Sequence, residues 1–294
     1  MKIFLTTFAS SDLKSSVKRF RSQAEQLGIY DRIFIFNEND LNDDFNKYVS
    51  SLIKKGKKRG YGYFVWQCFF HKLVLNQINT NDIYHWCDVG CHFNYNGLKR
   101  LKEYINIVNN SDNSVLSFQY KDPDFKNDYK GYTFPNYMEY EYTKADLIKY
   151  FKLTYESEII NSPQIWGGSF LLKKNKFSEE IMDKYYNITR NRFDLIDDDE
   201  TKFIEKNCPN YIQHRHPQSV LSILFKMYKC NFLSAYECDW ALDENNQRTW
   251  RHLENFPILA KRDKKKNIFA RFIDRQKRTI RRKKKIIKGW LPVN

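Results

Sequence analysis

The chain opens with KIFLTTF (2–8), a short β-prone run. Leu13, Val17, Phe20, Ala24 and Leu27 follow at spacings of four, three, four and three, the apolar face of a helix. Ser10 and Ser11 stand where an N-cap is expected, and Gly28 where a helix turns left-handed to stop. DRIFIFN (31–37) reads as a second strand. Leu41, Phe45, Val49, Leu52 and Ile53 predict a second helix over 40–54. Strand, helix, strand, helix is the opening of an α/β fold with a parallel sheet. After the basic break KKGKKRGYGY (54–63), the pattern predicts a helix over 64–78 and a strand at DIYHWCD (82–88). A helix over 97–108 and a strand at SVLSFQY (114–120) come next. Residues 121–142 read as a long tyrosine-rich loop. A short helix (143–151), the strand IWGGSFLLK (165–173) and a helix (178–190) follow. The acidic stretch DLIDDDET (194–201) precedes a further helix, and HRHPQS (214–219) opens the helix VLSILFKMY (220–228).

Composition fits a globular chain: 294 residues, 41% hydrophobic and 17% aromatic. The net charge of +15 is concentrated at one end, because residues 261–288 hold fifteen Lys/Arg and two Asp. The preceding part is near neutral, which argues against a nucleic-acid-binding core. In the tail, Ile268, Phe269, Phe272, Ile273, Ile280, Ile286, Ile287, Trp290 and Leu291 share one side of a helical wheel, with Lys and Arg around the rest. That is the form of a basic amphipathic helix lying on an anionic membrane surface. MKIFLTTFASSD is too short in its apolar run for a signal peptide, and no run is long enough to span a bilayer. The expectation is a cytoplasmic protein, peripheral on the inner face of the cytoplasmic membrane. It has two domains, 1–260 and 261–294, and six reduced cysteines.

HWCDVGCHF (85–93) carries two histidines, two cysteines and one aspartate. The spacing is not the paired C-x2-C of structural zinc sites, nor the usual dithiol spacing. His85 and Cys87 share one face of a strand, and Asp88 points the other way. Asp88 therefore reads as a carboxylate at the end of a parallel strand, where α/β sheets bind ligands.

Four segments in order resemble the bacterial glycosyltransferases of capsule and lipooligosaccharide loci, which have the GT-A fold: GYGYFVWQCFFHKLVL (60–75), DIYHWCDVGCHFN (82–94), SPQIWGGSFLLKKNKFSEEIMDKYY (162–186) and HRHPQSVLSILFKMY (214–228). The resemblance spans roughly residues 1–240. It implies a GT-A-like, mixed but mostly parallel sheet flanked by helices, and an enzyme moving a hexose from a nucleotide sugar, UDP-linked in the first instance. It implies Thr6, Thr7 and Phe8 near the base and ribose. Tyr61, Tyr63, Trp66 and Gln67 would wall the donor pocket. Asp88 would position the diphosphate, through Mn²⁺ or Mg²⁺ if a metal is used. Gly167 and Gly168 would admit the sugar; a β-bulge is the alternative. Asp199 and Glu200 are candidates for deprotonating the acceptor. His214 and Arg215 would offset charge on the leaving diphosphate, and His216 and Gln218 would line the donor site at a helix N-terminus. The tyrosines of 132–142 would stack on an acceptor sugar, with ordinary loop packing as the alternative.

The chain also departs from the pattern. Gln67 and Cys68 stand where Lys-Pro is usual, Pro217 stands for an Asp, and Gly90 stands for the second Asp of Asp-x-Asp. The acceptor implied is an oligosaccharide or lipid-linked glycan, and no nucleic-acid partner is expected. The competing readings are a non-catalytic nucleic-acid binder acting through the tail and an inactive nucleotide-binding relative.

Overall fold

The structure is a computed structural model and describes residues 1–199 and 206–261. The amphipathic tail, Glu200 and the start of the helix expected after Thr201 lie outside the described residues. The chain runs β1 (Ile3–Phe8), α1 (Lys14–Leu27), β2 (Arg32–Phe36), α2 (Asp43–Lys54), the short turn α3 (Gly60–Tyr63) and α4 (Trp66–Leu75). It continues through β3 (Ile83–Cys87), β4 (His92–Phe93), α5 (Leu98–Asn110), β5 (Val115–Gln119), α6 (Glu139–Tyr142), α7 (Ala145–Tyr150), β6 (Ile165–Lys173) and α8 (Lys176–Asn191). After α9 (Pro217–Met227) come β7 (Asn231–Ser234) and three two-residue strands, β8 (Ala241–Leu242), β9 (Arg248–Thr249) and β10 (Ile258–Leu259).

Six strands form one sheet in the order β2-β1-β3-β6-β5-β7. The pairs β1/β2, β1/β3 and β5/β7 are parallel, while β6 runs antiparallel to both its neighbours. This is the expected α/β architecture: a mixed, mostly parallel sheet with helices on both faces. The single reversed strand and the edge strand β7 are additions to the sequence-based picture.

β3 shows why the sheet is buried on both sides. Tyr84 and Trp86 enter one core, packed by Phe45 and Val49 of α2, Phe70 of α4, Tyr185 of α8 and Leu224 of α9. Ile83 and Cys87 enter the other, packed by Phe20 and Ala24 of α1 and Leu101 and Val108 of α5. A strand with helices over both faces needs apolar side chains on both.

The helix stop at Gly28 is as expected: its φ is 66° and its N–H donates to Glu25 O at 3.1 Å. The serine caps are a correction. Leu13 occupies the N-cap of α1 without a side-chain bond, and Ser11 instead donates its N–H to Glu38 at 3.0 Å. Among the described residues no helix is long and apolar enough to cross a membrane.

Candidate functional site

β1 connects to β2 on one side, and the chain then crosses to β3 on the other. The carboxyl ends of β1 and β3 are therefore the point where strand order reverses, the place where open α/β sheets bind ligands. Asp88 follows β3 directly and is half-buried. Its N–H donates to Gly168 O of β6 at 2.8 Å, and its carbonyl accepts Cys91 N–H at 2.8 Å. Arg19 of α1 fastens the same turn, donating to Val89 O and Cys91 O at 2.6 Å each. The turn that presents Asp88 is thus held from a strand and from a helix.

The neighbouring His85 is structural. Its Nδ1 meets Tyr30 Oη and its Nε2 meets Ser169 Oγ, both at 2.9 Å. Burial pushes this imidazole down to about 3, so it stays neutral. Cys87 and Cys91 are buried core thiols.

Gly167 and Gly168 lie in a bulge: Ser117 pairs with Phe170, but Phe118 pairs with Trp166. The space beside them is filled by the protein itself. A Cβ on Gly167 would come within 2.9 Å of Gln218 Cγ, and one on Gly168 within 2.2 Å of the Trp166 indole. Gln218 is pinned there by bonds from its Nε2 to Ile165 O (2.9 Å) and Gln164 Oε1 (3.2 Å). A continuous strip therefore runs from Asp88 through Gly168 and Gly167 to Gln218 and the first turn of α9.

The segment leading into α9 carries three of the expected residues, in different states. Arg215 is half-buried, its guanidinium carbon 4.4 Å above the Tyr142 ring and 5.6 Å from Tyr137. It has no ion pair among the described residues, and its Nε is buried there without a hydrogen-bond partner. His214 is a correction. It is fully buried, with Nε2 bonded to Leu195 O at 2.9 Å and Nδ1 accepting Lys144 N–H at 3.3 Å. Burial holds it well below the ordinary histidine value, so it carries no charge to offset a diphosphate. His216 bonds Ile196 O through Nδ1 at 2.8 Å, and its Nε2 lies 3.8 Å from Asp198. Burial pushes it down to about 4.

The acidic stretch is tied down residue by residue. Asp197 bonds buried Lys144 at 2.9 Å. Asp198 lies 3.9 Å from Arg59. Asp199 pairs with Lys57, whose hydrogen bond holds its carboxyl below the usual range, whereas burial raises that of Asp197. Asp197, Asp198, Lys57 and Lys144 were absent from the sequence-based candidates; only the pairing of basic 54–59 with acidic 194–201 hinted at them.

Opposite this stretch, residues 60–64 turn left-handed, with φ of 53°, 55°, 82°, 57° and 64°. The turn is closed by Tyr63 N–H to Arg59 O at 2.7 Å and Phe64 N–H to Gly60 O at 3.1 Å. It holds Tyr61 and Tyr63 half-buried, and the Trp66 indole donates to Gly60 O at 2.9 Å. Trp66 stacks on Phe8 at 3.8 Å, so both rings are occupied with each other. Thr6 and Thr7, among the last three residues of β1, are fully buried. Gln67 faces α8, where it accepts from Tyr185 Oη at 3.5 Å. In the 121–142 loop, Tyr137 packs on Tyr120 at 4.5 Å and on Tyr142 at 5.5 Å, so loop packing accounts for much of its aromatic content.

Among the described residues, no group of three or more His, Cys, Asp or Glu side chains forms a metal cage. Asp88 supplies one carboxylate at the rim, and a hard divalent cation held by one carboxylate and phosphate oxygens needs no larger protein set.

No protein-family model matches the chain, and no curated protein does. Among solved structures, it is similar to a glycosyltransferase involved in the glycosylation of the major capsid of PBCV-1, at 9% identity over 91% of this chain and 95% of that one, with a TM-score of 0.47. It is similar to the galactosyltransferase LgtC in complex with donor and acceptor sugar analogs, at 10% identity over 81% and 75%, with a TM-score of 0.39. It is also similar to mouse xyloside xylosyltransferase 1 in its apo form, at 8% identity over 81% and 73%, with a TM-score of 0.38.

Proposed function

We propose that the chain is a GT-A-like glycosyltransferase that moves a hexose from a nucleotide sugar to a surface glycan. The observation that carries this reading is Asp88, half-buried at the reversal point of the sheet and joined through the Gly167–Gly168 bulge to Gln218 of α9, the helix that Arg215 precedes. A carboxylate and a guanidinium without an ion pair among the described residues suit a sugar diphosphate. Asp88 engages the ribose or a bound cation, and Arg215 faces the phosphates as a fixed cation. Mn²⁺ or Mg²⁺, when bound at Asp88, neutralises diphosphate charge. In the transfer, the bond from the sugar C1 to the phosphate oxygen breaks and a bond from the acceptor oxygen to C1 forms. The acceptor proton passes to a base, and the nucleoside diphosphate leaves with the bonding pair. The acceptor is lipid-linked, and the basic tail 261–294 holds the protein on the anionic cytoplasmic leaflet, each basic residue adding about 1 kcal/mol at low salt.

The test is turnover and thermal stabilisation of the full chain with UDP-, GDP- and CMP-sugars, with and without Mn²⁺. The expected result is hydrolysis or transfer with one donor class, lost in Asp88→Asn and strongly reduced in Arg215→Ala. Stabilisation without turnover points to the inactive relative, and neither effect with any donor rejects the reading. Pelleting with phosphatidylglycerol vesicles, before and after deletion of 262–294, tests the membrane part; unchanged pelleting rejects it.

A further inference from the structure

We propose that Trp166 is the aromatic platform on which the site seats a pyranose ring, a role resting on the glycosyltransferase reading above. Trp166 opens the bulge of β6, two residues before the Gly168 carbonyl that fixes Asp88. Its indole occupies the position a Gly168 side chain would fill: Cζ2 and Cε2 are 2.2 and 2.4 Å from where that Cβ would be. The missing side chain is what permits this pose. Phe118, its cross-strand partner, meets the ring edge to face at 6.2 Å, and the ring packs in part against the core there. The platform is therefore rigid before any ligand arrives, and stacking loses little side-chain entropy.

The other described tryptophans are committed elsewhere. Trp66 and Trp86 are buried. Trp240 is covered by Arg248 at 4.1 Å, and Lys261 sits 5.8 Å from the Trp250 ring. Trp166 is half-buried and, among the described residues, carries no such cation and makes no hydrogen bond through its indole N–H. A flat aromatic face with an open donor at its edge matches a pyranose, which presents apolar C–H groups on one face and hydroxyls at its rim.

The test compares Trp166→Leu, which keeps apolar bulk, with Trp166→Tyr, which keeps an aromatic face. The KM for donor hydrolysis and the KM for the acceptor are measured separately. Stacking predicts a KM raised by about tenfold in Trp166→Leu with kcat nearly kept, and recovery to within about threefold in Trp166→Tyr. A rise in the donor KM assigns the platform to the transferred sugar, and a rise in the acceptor KM assigns it to the acceptor. Equal KM values in wild type and Trp166→Leu overturn the proposal while leaving the enzyme reading intact. If Trp166→Leu does not fold, or if wild type turns over no donor, protein labelled with 5-fluorotryptophan decides. The Trp166 fluorine resonance, assigned by its loss in Trp166→Tyr, shifts on adding UDP-galactose or lactose if the ring is a platform. No shift with either probe overturns it.

Discussion

Tyr63 and His216 meet edge to face, ring centroids 4.4 Å apart, and each has a positive φ, 57° and 56°. Strained residues persist only where their surroundings over-determine them. Here two strained turns, from distant parts of the chain, brace each other beside the first turn of α9. Tyr63→Ala is expected to lower stability by about 1–3 kcal/mol and to weaken nucleotide-sugar binding by loosening that turn. Denaturant unfolding and a binding titration check both effects; unchanged binding would mean that Tyr63 serves the fold alone.

Gly60 and Gly28 separate backbone strain from collision. Both have positive φ, but a Cβ at Gly28 meets nothing within 4 Å, whereas one at Gly60 lies 2.3 Å from the Phe64 ring. Gly28→Ala should lose about 1 kcal/mol, the cost of left-handed backbone alone. Gly60→Ala should lose clearly more, because the ring closing the turn must be displaced. Comparable unfolding midpoints for the two variants would contradict this.

Glu139 of α6 is fully buried and bonds Lys226 of α9 at 2.7 Å. Thr143 and Gln164 satisfy its other oxygen at 2.6 and 3.1 Å. Removing one partner strands a charge in the core, so Lys226→Met should destabilise by about 3–5 kcal/mol. Adding Glu139→Gln should restore part of the loss, which a double-mutant cycle measures.

Five of the six histidines are buried and held neutral: His71 and His85 are pushed down to about 3, His216 and His252 to about 4, and His214 well below its ordinary value. Burial is the leading cause in each. Their folded values lie below the unfolded value of about 6.5, so the unfolded chain binds more protons as pH falls. The stability they permit is whole above about 6.5. Below that it falls by about 1.4 kcal/mol per pH unit for each histidine until its folded value is reached. Together they make the folded state lose stability as the pH falls below about 6.5. Urea midpoints at pH 7.5, 6.5 and 5.5 should fall in order; a flat series would contradict the buried neutral state.

Arg19 offers a test of how Asp88 is presented. Arg19→Met removes both bonds to the 89–91 turn. It should leave the fold standing and weaken nucleotide-sugar binding by about tenfold, equivalent to about 1.4 kcal/mol. Isothermal titration checks it.

Periodicity made most of the fold legible. Phe20, Ala24 and Leu27 are buried as their spacing requires, and the β3 alternation sorts Tyr84 and Trp86 from Ile83 and Cys87. The direction of β6 was not legible, because an all-buried strand reads the same in a parallel or an antiparallel slot. At the site, Asp88 was visible as a polar residue ending an apolar run. The engagement of His214 was not, since its partners Leu195 and Lys144 lie far along the chain. Trp166 was passed over for the glycines beside it, because a glycine's spare room does not say which side chain will use it.

The reversed strand β6 also sets an order of assembly. The β2-β1-β3 half is complete by Cys87, yet β3 keeps an open edge until residues 165–173 exist to pair with it. β5 likewise waits for the same segment. During synthesis the first half thus emerges with an unpaired, hydrophobic strand, a template for pairing with other chains. β6 is the late keystone that closes both halves, and the same insertion brings Gly168 to Asp88. The rim that bears Asp88 and a protected sheet therefore come into being in one step.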